Sequence, residues 1–311
     1  MTRAVVFAYH DVGCRCLGVL LDQGVEVPLV VTHADDPKEN LWFGSVAAQA
    51  RARGLEVATP DDPNAAEFLA KVRGLKPDFL FSFYYRSMLG RELLAIPARG
   101  AYNMHGSLLP KYRGRAPVNW AVLHGETQTG ATLHEMVVKP DAGRLVDQEA
   151  VPILPDDLAV DVFGKVTAAA ERVLARSLPG LVDGSAVLRA QDLSKGSYFG
   201  GRRPEDGRID WGQPAKRIHD LVRAVAPPYP GRSPVSRERG CACCVPGTCR
   251  SRIPRAPRRF CTRRAGAASP PAPTGARSRS SKWNWTARRC PRKNSPIASA
   301  PAGSRCSREP Q

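Results

Sequence analysis

The sequence changes character at Gly231. In the 80 residues that follow there are two Val, two Ile, one Phe and no Leu, against 11 Pro, 19 Lys and Arg and two acidic residues. A segment with so few large apolar side chains cannot bury enough surface to offset the entropy of ordering its backbone. A folded core is therefore expected from residues 1–231 only. That part carries 27 basic and 27 acidic side chains, so the whole net charge of +17 belongs to the tail. A global basic patch is ruled out.

Cysteine divides in the same way, with Cys14 and Cys16 in the first part and the other seven between Cys241 and Cys306. A secreted disulfide framework would not leave most of the chain so poor in Cys. Met1-Thr2-Arg3 runs straight into an apolar strand, without a basic-then-apolar leader. No run reaches the about 18 to 20 apolar residues that a membrane span requires. The expectation is a soluble, cytoplasmic protein. Cys241-Ala242-Cys243-Cys244 with Cys249 lacks the second C-x-x-C or His pair that would complete a metal site, and no metal is expected.

From Met1 to about Asp183, short apolar runs alternate with segments of helical period, the pattern of an α/β domain with a mostly parallel, Rossmann-like sheet. The spacing predicts strands over Ala4–Ala8, Val25–Thr32, Phe79–Phe83, Gly100–His105, Thr132–Val138 and Val146–Ile153. Helices are predicted over Cys14–Gln23, Gly44–Arg53, Ala65–Arg73, Ser87–Leu94 and Val160–Leu178, the last capped by Asp156 or Asp157 and ended by Pro179-Gly180. A polar stretch from Ser194 to Trp211 leads to an amphipathic segment, Pro214–Val225. The Pro-rich run to Gly231 closes it. Three parts follow: residues 1–193 as the α/β domain in which any active site is expected, 194–231 as a linker and helix, and 232–311 as a basic, disordered tail.

The turn after the first strand, Tyr9-His10-Asp11-Val12-Gly13-Cys14, has one Gly where a dinucleotide fingerprint needs three, and no Walker A sequence occurs. The informative stretch is Asn103-Met104-His105-Gly106-Ser107-Leu108-Leu109-Pro110-Lys111-Tyr112-Arg113-Gly114-Arg115-Ala116-Pro117. Asn103 and His105 fall on one face of a strand at its carboxyl end, where open α/β sheets place their ligands. Asn can donate to an oxygen gaining negative charge, and His can move a proton near neutrality. No Ser or Cys sits in a nucleophile elbow, so the substrate itself is expected to be the nucleophile. Asp141, in Lys139-Pro140-Asp141-Ala142-Gly143, is the third candidate, since a carboxylate beside His105 favours the imidazolium. Asn103 and Asp141 are also ordinary turn formers, and Arg113 and Arg115 fit solvated loop positions equally well. His10, His33, His124, His134 and His219 are scattered and read as structural.

Ser107-Leu108-Leu109-Pro110, followed by Arg113-Gly114 and Pro117, resembles the signature of the 10-formyltetrahydrofolate-dependent formyltransferases. The likeness extends through Phe7-Ala8-Tyr9-His10-Asp11, Phe81-Ser82-Phe83-Tyr84-Tyr85-Arg86, Val222-Arg223-Ala224-Val225 and Pro230-Gly231. These flanking segments are most similar to the formyltransferase domains that act on UDP-4-amino-4-deoxy-L-arabinose in lipid A modification and polymyxin resistance. Methionyl-tRNA formyltransferases usually carry Gly-Thr-Pro where this chain has Tyr9-His10-Asp11. The resemblance implies that Asn103 stabilises the oxyanion, that His105 donates and accepts the proton, and that Asp141 supports His105. It implies a 10-formyltetrahydrofolate site formed by Ser87, Met88, Leu89, Arg115 and the segment Val137, Val138, Lys139, Pro140 and Asp141. The implied partner is a small sugar nucleotide, with neither membrane insertion nor nucleic acid expected. Three readings stay open beside it: a methionyl-tRNA formyltransferase, an inactive remnant, and a nucleic-acid binder working through the tail.

The family places a small β-barrel after the Pro-Gly at Gly231, and 11 Pro in 80 residues would break most candidate strands. The gain of Arg, Pro, Ser and Cys with loss of Leu is what a GC-rich gene gives when read out of frame. A frameshift at or just after the codon for Gly231 is therefore expected.

Overall fold

The computed structural model describes residues 1–34 and 41–229. The basic tail, its cysteines and the frame change expected at Gly231 lie outside the described residues. In chain order the elements are β1 (Arg3–Ala8), α1 (His10–Asp22), β2 (Glu26–Val31), α2 (Val46–Ala52), β3 (Val57–Ala58), α3 (Ala66–Gly74), β4 (Phe79–Phe83) and α4 (Arg91–Leu94). There follow β5 (Ala101–His105), β6 (Arg113–Gly114), α5 (Pro117–Leu123), β7 (Gln128–Glu135), β8 (Leu145–Pro152), α6 (Ala159–Asp183), β9 (Tyr198–Phe199) and α7 (Ala215–Ala224).

Seven strands form one sheet in the order β3-β2-β1-β4-β5-β7-β8. The first five run parallel, while β7 runs antiparallel to both β5 and β8. Every residue of β4 is buried, which its unbroken apolar run Phe-Leu-Phe-Ser-Phe requires of a central strand covered on both faces. Alternate residues serve the two faces. Val6, Phe79, Phe81, Phe83 and Met104 join the core beneath α1 and α6, whereas Val5, Phe7, Leu29 and Leu80 pack with Leu69, Val72 and Leu93 on the other side. β6 and β9 form a separate two-stranded ribbon.

The predicted β1, β2, β4, β5 and β8 fall within two residues of the observed strands. The other departures have local causes. The strand predicted over Thr132–Val138 is shifted to Gln128–Glu135, because the hairpin closes early: Glu135 N donates to Arg144 O at 2.8 Å and the two side chains pair at 2.9 Å. The helix predicted over Ser87–Leu94 shrinks to Arg91–Leu94. Asn64 intercepts the segment before it, its Oδ1 accepting from Gly90 N at 2.6 Å and its Nδ2 donating to Met88 O at 3.0 Å. α5 was not foreseen; Pro117 occupies its first turn, where a missing N–H costs nothing.

The long helix runs past Pro179 to Asp183 and ends at Gly184, whose φ of 83° terminates it. Proline removes the donor that would have served Ala175 O four residues earlier. Gln23 supplies one instead, its Nε2 donating to Ala175 O at 2.8 Å. The expected caps act differently as well. Asp157 accepts from Leu154 N at 2.7 Å and pairs with Lys165, while Asp161 accepts from Leu158 N at the helix start. Gln23→Ala is expected to lower stability by about 1 kcal/mol, read from the urea midpoint. In a Pro179→Ala background, where the missing N–H is restored, the same change is expected to cost much less.

Candidate active site

The motif residues meet where sheet polarity reverses, at the carboxyl end of β5 against β7. The antiparallel register sets Asn103 opposite His134 and His105 opposite Thr132. An irregularity between Leu133 and His134, where Val146 of β8 has no counterpart, interrupts the β7–β8 ladder at this point. Such bulges re-aim side chains beside functional sites. Past β5 the chain is pinned back onto β7 by Thr132, whose Oγ1 donates to Ser107 O at 2.6 Å and accepts from Leu109 N at 3.2 Å. Gln148 Nε2 donates to Leu109 O at 2.9 Å from β8. The loop carrying the signature residues is thus held by side chains from two neighbouring strands.

Asp141 is the hub. It lies in the β7–β8 loop, beyond the end of the strand, with its main chain in the left-handed region at φ 51°. A residue with a Cβ held there costs about 1 kcal/mol or more, so its surroundings must fix it. Gln191 does so from outside, donating to Asp141 O at 3.0 Å and Gly143 O at 2.6 Å. On the inside, Asp141 Oδ2 accepts from Gly114 N at 2.8 Å. Oδ1 faces His134 Nε2 at 3.4 Å and His105 Nδ1 at 3.6 Å. Gly114 has to be glycine: its φ is 97°, and a Cβ would stand 2.1 Å from Phe199 O across the ribbon.

The side chains of His105, His134 and Asp141 are 7%, 2% and 14% exposed. Burial alone would raise the Asp141 carboxyl. The positive charge of His105 and the hydrogen bond from the Gly114 amide work against it, and the carboxyl is held well below the usual range. His105 Nε2 lies 2.8 Å from Tyr112 O. Both ring nitrogens of His105 therefore face oxygen acceptors, and only the imidazolium can donate to both. Asn103 Nδ2 lies 3.1 Å from His134 Nε2. The three expected catalytic residues are brought together, and His134, which the sequence marks only as one scattered histidine, joins them.

The expected cofactor residues form a rim beside this cluster. Met88, Val137 and Val138 are exposed apolar side chains at 62%, 40% and 55%. Leu89 is buried in the same cluster as Met136, which ties segment 87–89 to the start of segment 136–141. Leu89 thus anchors the rim instead of facing it. Arg115 is exposed and its Nη2 donates to Arg86 O at 3.0 Å, bridging the signature loop to the end of β4. Asn64 is a residue that sequence reasoning missed here, since it holds Met88 and Gly90 open from a loop 24 residues away. A separate cavity of about 550 Å³, lined by Asp11, Trp42, Phe163 and Thr167 among others, shares no residue with the cluster.

Known proteins share this architecture. The formyl transferase family model matches residues 18–178, and the formyl transferase C-terminal domain model matches 202–239. The chain belongs to the formyl transferase family. The second match stops at 239, soon after the change in composition at Gly231. Among solved structures, the formyl transferase chain is similar to an N-formyltransferase from Helicobacter canadensis in complex with folinic acid and dTDP-3-aminofucose. That likeness has 22% identity and a TM-score of 0.61, over 72% of this chain and 80% of that one. A 4-N formyltransferase from Francisella tularensis gives 19%, 0.59, 73% and 90% in the same order. A sugar N-formyltransferase from a Shewanella species gives 19%, 0.59, 72% and 88%. At these identities the likeness is one of fold.

The carboxylate yields a pH prediction. A carboxyl whose folded pKa lies below its unfolded value adds stability above the unfolded value, and loses it as the pH falls toward the folded one. Asp141→Asn is expected to lower the urea midpoint at neutral pH, with the gap to the parent narrowing below about pH 4. A gap unchanged across that range would show that the charge of Asp141 contributes nothing.

Proposed function

We propose that this formyl transferase moves the formyl group of 10-formyltetrahydrofolate to the 4-amine of UDP-4-amino-4-deoxy-L-arabinose, a reaction of lipid A modification. The observation that carries the reading is the meeting of Asn103, His105 and Asp141 at the end of β5 without a side-chain nucleophile. The hydroxyls beside His105 are committed to main-chain carbonyls, Ser107 Oγ donating to Lys111 O at 2.6 Å and Thr132 Oγ1 to Ser107 O at 2.6 Å. Among the described residues the cysteines are Cys14 and Cys16, both in α1, and burial pushes the Cys16 thiol up, away from thiolate. The attacking atom is then the acceptor's own amine.

The folate supplies an activated formyl carbon bound to N10. As the amine lone pair forms the new C–N bond, the carbonyl electrons move onto oxygen, and Asn103 Nδ2 donates to that oxygen. The His105 imidazolium delivers its proton to N10, so that the C–N10 bond breaks with a neutral leaving group, and the neutral ring then takes the proton from the added amine, which restores the imidazolium. Asp141 keeps a negative charge beside the imidazolium and fixes the ring. The exposed apolar rim of Met88, Val137 and Val138 suits a flat aromatic ligand, and Arg115 suits its carboxylate tail. A sugar-nucleotide acceptor is supported by the sugar N-formyltransferases that share the fold, and the 4-amino-arabinose acceptor by the Tyr9-His10-Asp11 turn.

The whole cluster lies before Gly231, so we assign the chemistry to residues 1–231 and attribute the later residues to a shifted reading frame. A nucleotide sequence in which neither alternative frame downstream encodes alternating strands would refute the frameshift. For the reaction, the full chain is incubated with 10-formyltetrahydrofolate and the sugar nucleotide, and the acceptor is followed by mass for the gain of one CO. Asn103→Ala is expected to lower kcat about 100- to 1,000-fold, and His105→Ala at least about 100-fold. Arg115→Ala is expected to raise the KM for the folate about tenfold, equivalent to about 1.4 kcal/mol, at unchanged kcat. Formylation of methionyl-tRNA with the sugar nucleotide untouched would overturn the acceptor. Undiminished turnover in Asn103→Ala would overturn the mechanism.

A further inference from the structure

His134 takes no part in the proton transfers above, yet its side chain is among the most enclosed polar ones at the site, 2% exposed. Its hydrogen bonds define its state. Nδ1 lies 2.8 Å from Glu135 O, and a carbonyl can only accept, so Nδ1 carries a hydrogen. Nε2 has two neighbours with opposite demands. Asn103 Nδ2, at 3.1 Å, has a hydrogen to give; Asp141 Oδ1, at 3.4 Å, has room to accept one. A neutral ring, with its hydrogen already on Nδ1, serves Asn103, whereas a protonated ring serves Asp141.

Charge decides between them. His105 faces Asp141 on one side and Tyr112 O on the other, so it can hold the single positive charge that balances the carboxylate. A second imidazolium, its ring centroid 6.4 Å from that of His105 in a buried site, would add like-charge repulsion without another carboxylate to offset it. The side chain of Glu135 is engaged by Arg144 at 2.9 Å instead. His134 is therefore the neutral partner, and the shorter contact, to Asn103, is its hydrogen bond.

We propose that neutral His134 is the positioning residue for Asn103: by accepting one Nδ2 hydrogen it sets the plane of the carboxamide, so that the other Nδ2–H faces the formyl oxygen. The assignment rests on Asn103 as the oxyanion donor. The two hydrogens of a carboxamide nitrogen are coplanar and diverge, so fixing one aims the other. Without His134 the amide can turn to present Oδ1, which repels a developing oxyanion. The loss would then be one of rate, with substrate binding largely kept.

The test measures formylation of the sugar nucleotide by the full chain and by His134→Phe, His134→Gln, Asn103→Ala and the Asn103→Ala/His134→Phe double variant. His134→Phe is expected to lower kcat about 10- to 100-fold with little change in KM, as for a misaimed catalytic group. His134→Gln keeps an acceptor at similar reach and is expected to recover most of that loss. In the Asn103→Ala background, His134→Phe is expected to cost no more than about twofold, since the partner it positions is gone. An equal cost in both backgrounds, or a Gln variant as impaired as the Phe variant, would overturn the proposal.

Ring-nitrogen NMR on the ¹⁵N-histidine-labelled full chain gives a readout that does not need turnover. At neutral pH His134 is expected to show a protonated Nδ1 and a bare Nε2, whose resonance moves in Asn103→Ala. Two protonated nitrogens, or an Nε2 signal indifferent to Asn103→Ala, would refute the assignment. Should the parent fail to formylate this amine, the acceptor reading falls while the NMR still decides the role of His134. Should His134→Phe fail to fold, the Gln variant and the NMR decide it.

Discussion

A carboxylate buried among histidines holds this site together. Asp141 is taken out of water, which disfavours its charge, and it stays ionised because a main-chain amide and the His105 imidazolium face it, with His134 packed beside them. Each of those groups belongs to a different part of the chain: Gly114 to the ribbon, His105 to β5 and His134 to β7. The carboxylate is therefore a structural clamp as well as a chemical group. The left-handed backbone at Asp141 and the Gln191 contacts to its loop make sense as the means of delivering one side chain to that point.

The reversal of strand direction makes the convergence possible. In the parallel part of the sheet, the loops that follow β1, β4 and β5 all leave from one edge. The antiparallel β7 returns along β5, so that residues of two strands lie side by side on one face. Asn103 and His134 become direct neighbours in this way, a relation that two parallel strands joined by a crossover would offer less readily. Beyond Met136, whose N–H still donates to Ala101 O at 2.7 Å, the chain leaves the sheet, and the exposed Val137 and Val138 follow.

Much of this was legible in the sequence, and the limits are physical. The apolar runs of β1, β4 and β5 were readable because buried parallel strands need them, and Asn103 and His105 announced themselves by their spacing at a strand end. Interactions between distant side chains and the main chain were not legible. Asn64 unwinding the start of a helix, and Gln23 replacing the donor that Pro179 lacks, are pairings across 24 and 152 residues that no local period encodes. His134 escaped for the same reason, because its meaning comes from register with β5, and register is fixed only when the strands pair.

On the proposed mechanism, two histidines beside one carboxylate also let acid–base work and electrostatic work be kept apart. If both rings shared the proton, each would be charged for only part of the time, and Asn103, the proposed oxyanion donor, would lose its fixed orientation whenever the proton sat on His134. Dividing the acceptors prevents this. The Tyr112 carbonyl is reserved for His105 and the Glu135 carbonyl for His134, so each ring has one nitrogen committed before Asp141 or Asn103 is considered. Such commitments come from the backbone, which substrate binding disturbs less than it does side chains. All of these groups lie between Asn103 and Asp141, apart from the Gln191 brace. The proposed division of labour thus draws on residues that precede Gly231.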